Sequence, residues 1–308
     1  MHTTNGLSLF TIPNPQSTKP GPLGPTHVLH ACGRRTYHWS GVGPLSLKLF
    51  FGGTGRYAVG RGQLVVEEGN YLILNHGQRY SITIEAAEPV ESFCLFFRTG
   101  QLESVVQSLR AQADHLLDSP EAFPVTPPIF VERTYAPDTL LTPALLDLRR
   151  ELAEREQASP LWLEERLNGI LERLLVRHQL VGQEVVAFGA AAGIARPATR
   201  EELYRRLYQA RDFLEAEFAQ PLTLEQLARV ACLSPNHFLR SFRALFGTSP
   251  HQYLTERRLR GAKALLEHTD LPVTQVTLAV GFLSHGSFTR LFRSRVGTAP
   301  EIYRRRFR

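Results

Sequence analysis

The sequence predicts an α+β protein in two parts: an antiparallel β-barrel followed by helices, then an all-α part holding two copies of one helical unit. Three observations carry this reading. Short β-branched and aromatic segments, separated by glycine turns, recur through the first hundred residues at roughly 8–12-residue spacing. Leucine-rich stretches of helical period follow. Near the C-terminus a block of 21 residues recurs 50 positions further on. A length of 308 residues suits two domains, each large enough to bury a core without a disulfide or metal staple.

Residues 1–26 are rich in Pro, Gly, Ser, Thr and Asn and read as a flexible arm or an irregular edge. From residue 27 the strand period begins, with SLKLFF (46–51), GRYAVG (55–60), QLVVEE (63–68), NYLILN (70–75), YSITIE (80–85) and SFCLFF (92–97). Glycines at 52–53, 60, 62, 69 and 77 supply the hairpin turns between them. A small barrel can hold one small ligand. Its candidate inward polar groups are Tyr37, His38, Trp39, Tyr57, His76, Arg79 and Tyr80, which read otherwise as rim or core residues with ordinary partners. His27 and His30 lie close together, but His38 and His76 stand alone. No HxH with a following Glu and a distant His appears, so no metal and no cofactor are expected.

Beyond the strands, residues 101–117 read as helix, and the prolines of 119–130 interrupt it. Residues 142–156 and 159–186 are again helical, the second opened by Ser159-Pro160 as cap and first-turn proline. Leu163, Leu167, Ile170, Leu171, Leu174 and Leu175 form a stripe too apolar for water. It packs on the barrel or pairs two chains; the sequence leaves both open, and the helical segment at about 142–186 is read as a dimerisation element of a homodimer. The small-residue stretch at about 191–200 reads as a linker between a first domain at 27–190 and a second at 201–308.

After an amphipathic helix at 201–218, residues 233–253 read LSPNHFLRSFRALFGTSPHQY and residues 283–303 read LSHGSFTRLFRSRVGTAPEIY. At a constant offset of 50, ten of the 21 positions coincide, from Leu233/Leu283 through Arg240/Arg290 to Tyr253/Tyr303. Each copy is a short helix, a turn, and a second helix (235–246 or 285–296) ended by Gly247 or Gly297 as a C-cap. The units span about 222–246 and 272–296. Phe238, Phe242, Phe288 and Phe292 form the buried back, and arginines lie off that face. This is the layout of a helix-turn-helix. The helix from 250 to 267 joins the two units, so the second helices can enter successive major-groove windows ~34 Å apart.

The whole-chain charge of +6 conceals a division. Residues 201–308 hold 17 basic and 10 acidic side chains, a net of +7; subtraction from the totals leaves 18 basic and 19 acidic, a net of −1, for residues 1–200. Nearly all the basic residues of the second part are arginine, whose planar fork suits phosphates and guanine edges. A basic half on a near-neutral half suggests one nucleic-acid domain and one with another task. Cys32, Cys94 and Cys232 are scattered, fitting reduced thiols and a cytoplasmic setting. No run of about 18 apolar residues is present, so no membrane span is expected, and the N-terminus reads poorly as a signal peptide.

Within 222–266 the chain carries LxxLAxxAxLSxxHFxRxFxxxxGxSPxxYLxxxRLxxAxxLL, and over 273–304 it carries VTxxxLxxGFxSxxxFxRxFRxxxGxxPxxYR. These ordered patterns resemble the DNA-binding domain of the AraC/XylS family of bacterial transcription regulators. More loosely, the N-terminal half is similar to that family's cupin-like sensor barrel with its subunit-pairing helices. The resemblance implies a sequence-specific regulator, more often an activator, controlled by a small-molecule effector in the barrel. It implies double-stranded DNA, a second copy and RNA polymerase as partners. Carried onto this chain, the base-reading face comprises Asn236, Leu239 and Arg240 in the first copy and His285, Gly286, Ser287, Thr289 and Arg290 in the second. Arg can take guanine O6 and N7, Asn can take adenine, and Leu239 can touch only a thymine methyl. Gly286 departs from the long polar side chains common there and thins the second set. Arg243, Arg293 and Arg295 suit phosphates, and the RRRFR tail (304–308) reads as electrostatic.

Competing readings are a repressor, an architectural DNA-binder without effector, a barrel enzyme tethered to a DNA-binding domain, and a redox sensor acting through Cys32 or Cys94. No Ser/His/Asp or Cys/His arrangement is spaced for catalysis, so the chain is not expected to be an enzyme. Cys94 lies in an apolar run and reads as a core thiol.

Overall fold

A computed structural model describes residues 7–11, 25–33, 36–60, 62–85, 88–110, 126–155 and 158–307. The chain divides into two compact units, residues 1–186 and 187–308.

The first unit holds two antiparallel sheets. One runs in the order β1 (Leu7–Thr11), β2 (His27–Gly33), β9 (Val90–Phe97), β4 (Leu45–Phe51), β7 (Tyr71–Leu74), β10 (Thr134–Tyr135). The other runs β3 (Tyr37–Val42), β8 (Arg79–Ile84), β5 (Gly55–Val59), β6 (Gly62–Val66). The barrel expected from the sequence is therefore not closed. Closure needs an unbroken ring of ladders, and among the described residues none joins the edges of one sheet to those of the other. The two sheets instead share a core. Phe50, Leu72, Leu74 and Val90 come from the first, and Tyr57, Leu64, Val66, Tyr80 and Ile82 from the second. Gly77, at φ +79°, makes the β7–β8 turn in a left-handed conformation that costs a side chain energy.

Part of the expected flexible arm is a strand. Leu7–Thr11 pairs with β2 in register from Leu7↔Ala31 to Thr11↔His27, because an uncovered β2 edge offers a row of unpaired backbone groups. The rest of that arm (1–6 and 12–24) lies outside the described residues, as do 111–117 of the expected helix. Helix α1 (Gln101–Arg110) covers the first part of it. β10 falls in the stretch between 130 and 142 that the sequence leaves unassigned, since two residues are too few to show a period.

Helices α2 (Thr142–Ala153) and α3 (Pro160–Ala191) follow. Leu163, Leu167, Ile170, Leu171 and Leu174 are all buried and Leu175 is half-buried, so of the two readings open for the stripe the structure favours packing within the chain. Hydrogen bonds and ion pairs fix α3 in place: Gln101 Nε2 donates to Asn168 at 3.0 Å, and Arg133 pairs with Glu184 at 3.1 Å.

The second unit is all helix. Its α4 (Pro197–Ala216) starts inside the segment read as linker, because Pro197 is preorganised for the first turn. Then come α5 (Leu224–Val230), α6 (Pro235–Phe246), α7 (Pro250–His268), α8 (Val273–Ala279), α9 (His285–Val296) and α10 (Pro300–Arg304). Capping sets these bounds. Thr223 with Gln226 and Ser249 with Gln252 form capping boxes, Ser234 and Ser284 accept from the third backbone N–H of α6 and α9, and Gly247 and Gly297 close them at φ +69° and +85°.

The duplication extends to the packing. Phe238 and Phe242 lie 5.3 Å apart, as Phe288 and Phe292 lie 5.5 Å apart. Phe242 meets Tyr253 edge-on at 5.7 Å, and Phe292 meets Tyr303 at 5.5 Å. Each tyrosine donates to a glutamate on an earlier helix, Tyr253 to Glu215 and Tyr303 to Glu267. One expectation is corrected: the offset is not 50 throughout. The N–H groups of Cys232 and Leu233 bond to the carbonyls of Arg229 and Ala228, as those of Gly281 and Phe282 bond to Leu278 and Thr277. The spatial counterpart of Leu233 is therefore Phe282, at an offset of 49, and Leu283 is an extra turn residue, 96% exposed. Arg304 departs from the expected electrostatic tail: it is buried and donates to the Leu271 carbonyl.

Candidate functional site

The buried phenylalanines fix which side of α6 and α9 faces outward. In α6, Asn236, Arg240 and Arg243 are exposed and Leu239 is half-buried. In α9, His285, Gly286, Ser287, Arg290, Arg293 and Arg295 are exposed. Arg240, Arg243, Arg290 and Arg293 have no ion pair among the described residues, so their guanidinium groups stand available to an anion. Arg295 lies 3.5 Å from Glu256, both half-exposed, a pair of little energetic weight. Thr289 corrects the expected set, because its Oγ1 is buried and unpartnered. Position 289 follows buried Phe288 directly, and its hydroxyl turns inward rather than toward the front. Sequence reasoning missed His237, which is exposed and occupies the place of Ser287 in the other copy. The 50-residue offset, which holds from Ser234 onward, could have found it.

Of the expected effector-binding residues, the structure brings Trp39, Tyr57 and Tyr80 together between the sheets. The Trp39 and Tyr80 rings lie 4.9 Å apart, and those of Tyr57 and Tyr80 5.8 Å apart. Tyr37 lies on the same strand face as Trp39 but is half-exposed at the start of β3. Three expectations are corrected. His38 and Arg79 fall on the opposite face, as the two-residue strand period demands; both are exposed, with His38 at 3.1 Å from Thr83 Oγ1. His76 is exposed in the β7–β8 turn, beside a cavity of about 250 Å³ also lined by Asn75, Thr99 and Phe130.

The inter-sheet groups that sequence reasoning missed are on β4. Lys48 is 1% exposed, with Nζ 3.5 Å from the Phe96 ring centroid and 5.5 Å from that of Tyr80. Burial pushes its ammonium down to about 8. Ser46, on the same strand face, is fully buried and its Oγ has no partner. Cys94 sits opposite Lys48 in register, and burial pushes its thiol up. A raised thiol pKa in a buried strand argues against Cys94 as a redox sensor. Burial raises Tyr57 and Tyr80 and lowers His27, whose Nδ1–H donates to the Pro25 carbonyl at 2.9 Å and whose ring stacks on Phe96. Among the described residues no group of His, Cys, Asp or Glu could hold a metal ion, and no helix is long and apolar enough to cross a membrane.

Two helix-turn-helix units, each with a buried aromatic back and an arginine-bearing front, define a DNA-binding module. Residues 227–306 match the family model described as a helix-turn-helix domain, and the chain carries an AraC-type helix-turn-helix domain at its C-terminal end. It is 36% identical over 102 residues to an uncharacterised HTH-type transcriptional regulator, YijO, of Escherichia coli, covering 33% of this chain and 36% of that protein. It is 28% identical over 159 residues to the HTH-type transcriptional regulator ArgR of Pseudomonas aeruginosa, covering 51% and 44%. Among solved structures, a transcriptional regulator of Chromobacterium violaceum, titled for its AraC-type DNA-binding domain, is 30% identical; the match covers 34% of this chain and 93% of that one, with a TM-score of 0.33. The chain spans less than half the length of these two curated relatives.

Proposed function

We propose that the chain is a sequence-specific transcription regulator, an activator, that binds double-stranded DNA through both helix-turn-helix units under the control of a small molecule held by the N-terminal unit. One observation carries the reading: Arg240 and Arg290, exposed and unpaired, occupy the same place on two copies of one capped helix. Base-edge contacts fall to Asn236, His237, Arg240, His285, Ser287 and Arg290, and phosphate contacts to Arg243, Arg293 and Arg295. The effector acts by binding one arrangement of the DNA-binding units better than the other, which is the physical content of such control. A homodimer, paired through the exposed Leu161, Val176 and Leu180 of α3 rather than through the buried stripe, presents two such modules, and RNA polymerase is the partner of the activated complex. The setting is the cytoplasm. Similarity to regulators such as the melibiose operon regulatory protein of Escherichia coli, 26% identical over 132 residues, supports the reading.

The test is selection of duplexes from a random library by the full chain, followed by titration of the selected site and an unrelated duplex. Enrichment of one motif supports the proposal. Equal affinity for both duplexes at physiological salt overturns sequence-specific regulation and favours an architectural role.

A further inference from the structure

We propose that the inter-sheet cluster around Lys48 and Ser46 binds the carboxylate of a small organic acid with an apolar or aromatic body. The proposal deepens the reading of the N-terminal unit as effector-sensing and rests on it.

Lys48 lies at the centre of the larger sheet, on the strand face that also carries Ser46 and Phe50 toward the opposite sheet. Its ammonium rests on the Phe96 and Tyr80 rings, with the Cys94 thiol opposite it in register. Among the described residues no carboxylate lies within ion-pair distance of it, and the sequence contains no Asp or Glu before Glu67, so the 66 residues that include β1 to β6 have none to offer. A buried cation without a counter-ion is costly, and ring faces return only part of the lost hydration. Ser46 supplies the second, independent observation: a fully buried hydroxyl on the same face, with no partner. Native structures leave few such groups unsatisfied, and an orphan hydroxyl two residues from an orphan ammonium marks a pair of donors awaiting one acceptor group.

The chemistry of the surroundings chooses among anions. One ammonium and one hydroxyl match a singly charged carboxylate, whereas a phosphate dianion needs more positive charge than this face carries. His27, whose ring stacks on the same Phe96, is held toward neutrality by burial and by Lys48 itself. The Cys94 thiol is pushed up by burial and remains protonated. Trp39, Tyr57, Tyr80 and Phe96 are the aromatic side chains grouped around the ammonium, against which the body of the acid would have to pack.

The experiment uses the full-length protein and measures binding by calorimetry and thermal shift. Probes are acetate, hexanoate, benzoate and 4-phenylbutyrate, each beside its amide, with sulfate and inorganic phosphate at matched ionic strength. The expected result is that hexanoate, benzoate or 4-phenylbutyrate binds at least tenfold more tightly than its amide, that Lys48→Met loses this preference while melting cooperatively, and that Ser46→Ala weakens it severalfold. Absence of any acid-over-amide preference, its retention in Lys48→Met, or tighter binding of phosphate or sulfate overturns the assignment. Duplex binding is measured on the same preparations. Intact sequence-specific DNA binding with no acid preference overturns this inference alone, whereas failure of the wild-type chain to select a DNA site overturns the functional reading.

Discussion

Cys232 and Gly281 occupy the same place in the turns of the two helix-turn-helix units, and both adopt left-handed backbone, at φ +53° and +84°. Only one of them is a glycine. A Cβ costs roughly 1 kcal/mol in this conformation, so Cys232→Gly is expected to stabilise the chain by about 0.5–1 kcal/mol. Gly281→Ala adds the same strain and also places a Cβ 2.5 Å from the Ala219 carbonyl oxygen, a backbone atom that cannot swing away. Its expected cost is about 2–3 kcal/mol. Urea melts of the three proteins check both signs; a destabilised Cys232→Gly shows that the turn needs the cysteine side chain.

Arg240→Ala and Arg290→Ala should each lower affinity for the selected site by about 1–3 kcal/mol, while binding to an unrelated duplex changes little. Arg243→Ala and Arg293→Ala should weaken both duplexes alike and each reduce the salt slope by about one. Equal losses on both duplexes for Arg240→Ala would move that residue from base reading to phosphate contact.

The second unit was legible because its signals are local. Caps, the phenylalanine spacing and the glycine stops of α6 and α9 are written within a dozen residues, and the repeat writes them twice. What escaped was the single inserted Leu283, since a constant offset aligns it with Leu233 and only the hydrogen bonds of the turns separate them. In the first unit, strand existence was legible but facing was not. LSLKLFF alternates leucine with Ser46, Lys48 and Phe50, which reads as leucine inward and Lys48 toward water. Both faces of β4 are in fact buried. The leucine side meets helices, with Leu45 beside Leu102 of α1 and Arg149 of α2 over Phe51, and the lysine side faces the other sheet. Period alone cannot choose between two covered faces, which hides Lys48. His38 and Arg79 are a different case: they alternate with Trp39 and Tyr80, so the strand period itself assigns them to the exposed face.

Glu91 ties the larger sheet to α2. Arg149 grips it with two guanidinium bonds of 2.5 and 2.6 Å, and His30 Nε2–H donates to it at 2.7 Å. Arg149 foremost, with His30, outweighs desolvation and holds this carboxyl below its usual range. The folded carboxylate therefore contributes stability above pH 4.5, and that contribution is lost as pH falls through the lowered folded value. Glu91→Gln should cost about 2 kcal/mol at pH 7 and progressively less toward pH 3. Melts across that range check it; a pH-independent gap would show that shape rather than charge sets the cost.

Lys48 should make the chain more stable as the solution becomes alkaline. The unfolded lysine keeps its proton to about 10.5, whereas the folded one releases it at about 8. Below pH 8 both states are protonated and the full penalty of the buried ammonium stands, about 3 kcal/mol for a displacement of this size. Between pH 8 and 10.5 unfolding takes up a proton, so stability climbs. The groups around Lys48 act differently: burial raises Cys94, Tyr57 and Tyr80, which lowers stability as their unfolded values are passed, and His27 titrates below the window. The decisive quantity is therefore a difference. Lys48→Met should exceed the wild type by about 3 kcal/mol at pH 7, and the gap should shrink toward zero near pH 10.5. A gap that stays constant with pH would mean that the folded lysine is not held near 8. A bound carboxylate should narrow the gap at pH 7 by giving the ammonium its missing counter-charge, and acid affinity should fall as pH rises through the window in which Lys48 loses its proton.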